Sequence, residues 1–129
     1  MKVWVQKHDF SSVDLDDGSM EASIEAMAAV DWADEGRLAE AAERDGRDCC
    51  PAGIGWVAED GRILHLMPNG EGTMNISYIF PRRKKSFFGL VNSQGQGDLW
   101  LENIPCEGLQ AILRDHYDGA HSAILEGLS

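Results

Sequence analysis

Hydrophobic and polar positions alternate in some parts of the chain and recur at helical spacing in others. The N-terminal residues Lys2–Gln6 alternate and are rich in β-forming side chains, which predicts a strand. Over residues 19–45 the composition shifts to Ala, Glu and Met. Within it Met20, Ile24 and Met27 lie four and three residues apart, the spacing of one helical face. This segment is therefore predicted to be helical.

The ends of this helical segment carry capping signals. Ser19 is the predicted N-cap, since a serine hydroxyl can accept a hydrogen bond from a free N–H of the first turn. The acidic cluster Asp31–Glu35 and Gly36 indicate a break, so two helices and one bent helix both fit the pattern. A second helix would run from about Trp32 to Arg44 and end at Gly46.

After Pro51 the pattern is typical of strands. The dipeptide Asp60-Gly61 between two apolar runs is the strongest hairpin signal in the chain. Loops or turns are predicted at Pro68–Gly72, Pro81–Ser86 and Gly95–Asp98. The strands predicted between these turns are Ile54–Ala58, Arg62–Met67, Met74–Phe80, Phe87–Val91 and Leu99–Ile104.

The C-terminal part returns to helical spacing. Pro105 suits a first helical position, and an apolar stripe follows at Leu109, Ile112, Leu113 and Tyr117. Gly119 is expected to end that helix, with a short last helix over residues 120–128. Because no long helix separates the central strands, the predicted fold is α+β. We expect a single domain, residues 1–129, with an antiparallel meander of about five to six strands and the terminal helices packed on one face.

Two of the predicted strands are apolar on both sides. In Arg62–Met67, Ile63 and Met67 share one face while Leu64 and Leu66 share the other. Phe87 and Phe88 are neighbours, so their rings must also point to opposite faces. Helices can cover one face of the sheet. The other has to be covered by a partner, by curvature of the sheet, or by a ligand.

Charge narrows the class of partner. The chain has 11 basic and 22 acidic residues and a net charge of −11, which argues against nucleic acid as a partner. Arg82-Arg83-Lys84-Lys85 holds four of the 11 basic residues. These basic residues either prevent aggregation of the apolar strands on both sides, or they contact an acidic partner protein or the acidic face of a second subunit. The predicted interface residues are Phe87, Phe88, Leu90, Val91, Arg82, Arg83, Lys84 and Lys85.

Other features favour a reduced, cytoplasmic protein without a membrane segment. No apolar stretch of signal-peptide length opens the chain, and the longest apolar run, Ala26–Val30, is far too short to cross a bilayer. Cys49-Cys50-Pro51 matches no nucleophile motif, and adjacent cysteines bridge only with strain. The histidines of Asp115–His121 are five residues apart rather than four. We therefore expect the protein to bind no metal and no cofactor. We expect His116 to lie at the solvent-exposed end of a helix.

Two functional hypotheses remain. The first is a small acidic, non-enzymatic binding protein that forms a homodimer and engages a protein partner. A partner with a basic surface would complement its acidic charge, and immunity proteins are often small and acidic in the same way. The second is a ligand-binding domain or enzyme with a cleft between sheet and helices. Its predicted lining residues are Cys50, Trp56, His65, Asn75, Ser77 and Trp100.

Overall fold

The computed structural model describes residues 1–69, 72–85 and 92–128. Over these residues the chain forms six strands, four α-helices and one short 3₁₀ turn. Their bounds are β1 Lys2–Gln6, β2 Ser12–Asp14, α1 Met20–Ala28, α2 Trp32–Arg44, β3 Gly53–Val57, β4 Ile63–Pro68, β5 Thr73–Lys85, β6 Asn92–Pro105, the 3₁₀ turn Cys106–Gly108, α3 Leu109–Tyr117 and α4 His121–Leu128.

The strands form one antiparallel sheet in the order β2-β1-β3-β4-β5-β6. From β3 to β6 each strand pairs with the next one along the chain, which is the predicted meander. The helices come as one pair before β3 and one pair after β6, so the α+β class is confirmed.

The N-terminal helical segment is two helices. The Ser19 hydroxyl accepts from the Ala22 N–H at 3.1 Å, and the Asp31 carboxylate accepts from the Asp34 N–H at 3.0 Å. Each cap provides an acceptor for a backbone N–H of a first helical turn that would otherwise have none. Two N-caps therefore define two separate helices rather than one bent helix. The second helix has the predicted bounds, and Gly46 follows it with a φ of 72°.

The core lies between one face of the sheet and the helices. Side chains of four strands supply most of it, joined by Leu113 of α3 and Ile124 of α4, while Ile24 and Met27 of α1 pack against its edge. Alternate strand positions share a face, so one set of residues enters this core. The strand residues of this core are Val3, Val5, Ile54, Trp56, Leu64, Leu66, Met74, Ile76 and Tyr78.

The predictions for residues 81–85 and 95–98 were wrong. Residues 81–85, expected in a connection, continue β5, and the expected turn at Gly95–Asp98 lies inside β6. A Cβ at position 97 would overlap the ring of Phe80, so Gly97 permits close packing rather than a turn. Pro81 is tolerated because the pairing with β4 stops before it. The predicted strand Phe87–Val91 lies outside the described residues.

Candidate interaction surface

The face of the sheet that points away from the core has an unusual composition. We call this the outer face. Because side chains alternate along each strand, its residues are those between the buried positions. On the four inner strands and on β6 it comprises Trp4, Gly55, Val57, Ile63, His65, Met67, Asn75, Ser77, Ile79 and Trp100.

One row of residues crosses this face from β1 to β6. Trp4 pairs with Gly55, Gly55 with His65, His65 with Ser77, and Ser77 with Trp100. Directly opposed side chains in a sheet lie close enough to contact one another. The two tryptophans therefore stand at opposite ends of a row whose other members are a glycine, a histidine and a serine.

Trp4 leans across the row toward His65. A Cβ on residue 55 would overlap the indole, so the ring lies directly on Gly55. The ring centroids of Trp4 and His65 are 5.7 Å apart. The His65 Nε2 is buried and has no hydrogen-bond partner among the described residues. Burial lowers the pKa of His65, which keeps the imidazole neutral at pH 7.

The outer face has no charged residue at its centre. From Gly53 to Pro81, none of the described outer-face positions of β3, β4 and β5 carries a formal charge when His65 is neutral. Elsewhere on the outer face, charged residues occur on β1, β2 and β6, as Lys2, Asp14, Asp98 and Glu102, and in the part of β5 that follows Pro81. An uncharged strip on a chain of net charge −11 is a marked departure from the rest of the surface.

This strip is also apolar and only partly covered. An antiparallel sheet with one face in water usually carries polar side chains on that face. Here Val57, Ile63 and Ile79 form a neighbouring row and are half-buried. Trp100 is 51% exposed, and its Nε1 donates to the Glu102 carboxylate at 3.1 Å. The outer face therefore offers apolar surface to a partner.

At one end of the sheet β5 and β6 extend beyond their neighbours. The last pair between β4 and β5 is Ile63 with Ile79, whereas β5 and β6 remain paired as far as Lys85 with Asn92. We call residues 82–85 and 92–95 the basic ribbon, since the first strand has the sequence Arg-Arg-Lys-Lys. Four residues of strand span about 13 Å. Strand pairing thus places the backbone of these four residues beyond the ends of β3 and β4.

A second polar group of residues lies at the same end, but on the core side. The Arg62 Nε donates to both carboxylate oxygens of Asp60, at 2.9 and 2.7 Å. Tyr78 is hydrogen-bonded through its hydroxyl to the His121 Nδ1 at 2.8 Å. The ring of His116 stands edge-on to Tyr78 at 6.1 Å. No sequence spacing indicated this group, because its members come from the β3–β4 turn, β5, α3 and α4.

His116 is fully buried, so the predicted solvated position was wrong. Its Nε2 is 3.1 Å from the Trp56 carbonyl oxygen. Since a carbonyl only accepts, Nε2 carries the proton and Nδ1 is an acceptor. Burial lowers the pKa of His116, although the bond to Trp56 acts in the opposite direction. This contact fastens α3 to the centre of β3.

A cavity of about 580 Å³ lies beside this group, lined in part by Gly18, Glu59, Asp60, Arg62 and His116. The Arg62 Nη1 and the His116 Nδ1 are buried and have no hydrogen-bond partner among the described residues. Being buried, neither atom is presented at the cavity surface. The hydrogen bonds of Tyr78 and His116 therefore stabilise the packing of α4 and α3 on the sheet.

The six residues predicted to line a cleft lie in three places. His65, Ser77 and Trp100 are in the row across the outer face, and Asn75 lies on the same face, where its Oδ1 accepts from the Asn103 N–H at 3.1 Å. Trp56 is on the opposite side of the sheet and fully buried. The Cys50 thiol lies beyond the end of β1, 3.2 Å from the Lys7 carbonyl oxygen. The six do not surround one cleft.

Sequence reasoning missed Trp4, Gly55 and Ile79 as surface residues. Their signal was present in the alternation, because each occupies the position between two core residues. The predicted interface residues Phe87, Phe88, Leu90 and Val91 lie outside the described residues. Arg82–Lys85 are placed by their backbone, in β5.

Over residues 1–69, 72–85 and 92–128, no three His, Cys, Asp or Glu side chains are arranged to hold a metal ion. In the same ranges no helix is both long enough and apolar enough to span a bilayer. Comparison with protein families, with curated proteins and with solved structures gave no match. Function must accordingly be inferred from the residues of this chain.

Proposed function

We propose that the protein is a non-enzymatic interaction domain that forms a homodimer through its outer face. The observation that supports this is the uncharged, apolar strip across β3, β4 and β5 on a strongly acidic chain. In a monomer, the sheet positions that face water usually carry polar side chains, whereas here they carry Val57, Ile63 and Ile79. A second copy presents the same strip, so the two strips match each other in polarity.

The tryptophans are suited to anchor such an interface. Burying a large apolar side chain fully stabilises by about 1.5–3 kcal/mol, and Trp100 still has half of its surface to bury. Tryptophan is also enriched among residues that dominate binding energy. Ser77, which is directly paired with Trp100, has a small side chain and leaves room beside that indole for a partner's side chain.

Net charge opposes self-association but does not prevent it. At physiological ionic strength the Debye length is about 8 Å, so charges spread over the helices of two subunits are largely screened. The centre of the contact brings no like charges together, because the charged residues of the outer face lie on β1, β2, β6 and the part of β5 that follows Pro81. The same arrangement disfavours a strongly charged partner at the centre of the face.

The test is a matched pair of lysine substitutions. Ile79→Lys puts a charge into the uncharged strip of the outer face, and Leu38→Lys puts the same charge on α2, where the leucine is 41% exposed. Sedimentation equilibrium from micromolar to hundreds of micromolar protein should give a dimer for the wild type and for Leu38→Lys. Ile79→Lys should remain monomeric while its circular dichroism is unchanged. A monomeric wild type, or equal dimerisation of both variants, would contradict the proposal.

A further inference from the structure

Opposite charges are separated across the sheet. The basic ribbon belongs to β5 and β6, at one edge. Three exposed acids, Asp14, Asp16 and Asp17, occur on β2 and directly after it, at the other edge; we call them the acidic corner. Strands are about 4.8 Å apart, so β2 and β5 are separated by about 19 Å. That exceeds the Debye length, and the ribbon cannot neutralise the acidic corner of its own chain.

The ribbon and the corner nevertheless lie at the same end of the sheet. Gly18, next to Asp17, contacts the carbonyl of Met1 and lines one cavity with Glu59 and Asp60 of the β3–β4 turn. The ribbon extends from this end too, because Ile79 is paired with the first residue of β4 and β5 continues beyond it. Both charged groups therefore flank the end that holds the β3–β4 turn.

Symmetry decides how these groups meet in a dimer. Two outer faces can be stacked by a two-fold axis in the plane between them, running either along the strands or across them. An axis along the strands exchanges the two edges and keeps the ends, which brings each ribbon over the partner's corner. An axis across the strands exchanges the ends and keeps each ribbon away from the partner's corner. Only the axis along the strands brings opposite charges together, and it forms two such contacts in each dimer.

We propose that the two copies stack their outer faces about a two-fold axis parallel to the strands, so that the basic ribbon of each contacts the acidic corner of the other. This rests on the proposed self-association and adds its orientation. Sheets stacked face to face lie about 10 Å apart with nearly aligned strands, which lets the paired ribbon reach across. Since both contacts are ionic, the dimer should weaken as salt is added.

A charge exchange tests the orientation. Alternate residues of a strand share a face, so Arg83 and Lys85 have the outer-face register of Ile79. The ribbon variant therefore carries Arg83→Glu and Lys85→Glu, and the corner variant carries Asp14→Lys and Asp16→Lys. Each alone should weaken dimerisation about tenfold at low salt, because two opposed pairs become like-charged. Mixed together they should form a heterodimer, detected by native mass spectrometry, in which every contact again joins opposite charges.

The control separates this from averaging of net charge. Arg44→Glu and Arg47→Glu change the net charge as the ribbon variant does, but they lie on and just after α2. This control variant should dimerise like the wild type and should form less heterodimer with the corner variant than the ribbon variant does. Equal heterodimer yields, or a ribbon variant that dimerises as the wild type does, would overturn the orientation and leave the outer-face dimer standing. A monomeric wild type would remove both.

Discussion

The indole of Trp4 occupies the space above Gly55 that any other residue would fill with its side chain. The two residues are directly paired between β1 and β3, and the ring continues toward His65 on β4. A glycine in the middle of a buried strand ordinarily weakens it. Here it lets a large aromatic ring lie flat on the sheet, which shapes the outer face.

Gly55→Ala should therefore be destabilising. The added Cβ would overlap the Trp4 ring, and displacing a packed ring costs about 1–3 kcal/mol of unfolding free energy. Gly36→Ala is the matched control, since a Cβ there meets nothing within 4 Å and the residue lies inside α2. That change should stabilise by about 0.5–1 kcal/mol. Urea denaturation of both variants measures the two signs; a neutral Gly55→Ala would show that Trp4 does not rest there.

Asp60→Asn should cost more stability than an exposed ion pair usually contributes. Its carboxylate is the partner of Arg62, whose side chain is only 9% exposed. Because the substitution leaves a buried guanidinium without its charged partner, the free energy of unfolding should fall by about 1–3 kcal/mol. Asp45→Asn is the control, because Asp45 and Arg47 form a pair in which both side chains are 66% exposed. Removing that pair should change the unfolding free energy by less than about 0.5 kcal/mol.

Stability should fall on mild acidification because of His65 and His116. Burial lowers the pKa of both below the ordinary value of 6.5, so the unfolded chain takes up their protons first. The unfolding free energy is then fully present above that value and decreases as the pH falls below it. Each histidine can contribute a slope of up to about 1.4 kcal/mol per pH unit in this window.

Denaturation at pH about 7.5 and about 5.5 checks this, with His65→Gln and His116→Gln each removing one share of the pH dependence. Carboxylates do not blur the comparison. Among the residues whose burial the structure describes, Glu35 is the one buried acid, and its pKa lies below its ordinary value of 4.5: burial would raise the pKa, but the hydrogen bonds from His8 prevail. A wild type equally stable at both pH values would contradict the buried, neutral state of the two histidines.

The sequence allowed the hairpin at Asp60-Gly61 and the bounds of α2 to be predicted because both depend on local chemistry. A turn dipeptide and an N-cap act within four residues. Gly97 was misread for the same reason: its role depends on Phe80, a cross-strand neighbour that sequence spacing does not reveal. Signals within a few residues of sequence therefore predict helices and turns, whereas the role of a glycine inside a strand depends on its neighbours on the adjacent strands.

The candidate site could be predicted only in part. Alternation showed that Ile63 and Met67 would face away from Leu64 and Leu66, and hence that the sheet has two apolar faces. It could not place Trp4 and Trp100 in one row, because that depends on strand order and on four successive registers. The burial of His116 likewise follows from packing across 60 residues of sequence.

The most direct test uses the four indole N–H signals of the chain in an NMR dilution series, with the mass of each sample measured in parallel. Trp4 and Trp100 lie on the outer face, while Trp56 is in the core and Trp32 begins α2. As the mass changes from dimer to monomer, the signals of Trp4 and Trp100 should shift and those of Trp32 and Trp56 should stay in place. A constant monomer mass, or shifts confined to Trp32 and Trp56, would contradict an interface on the outer face.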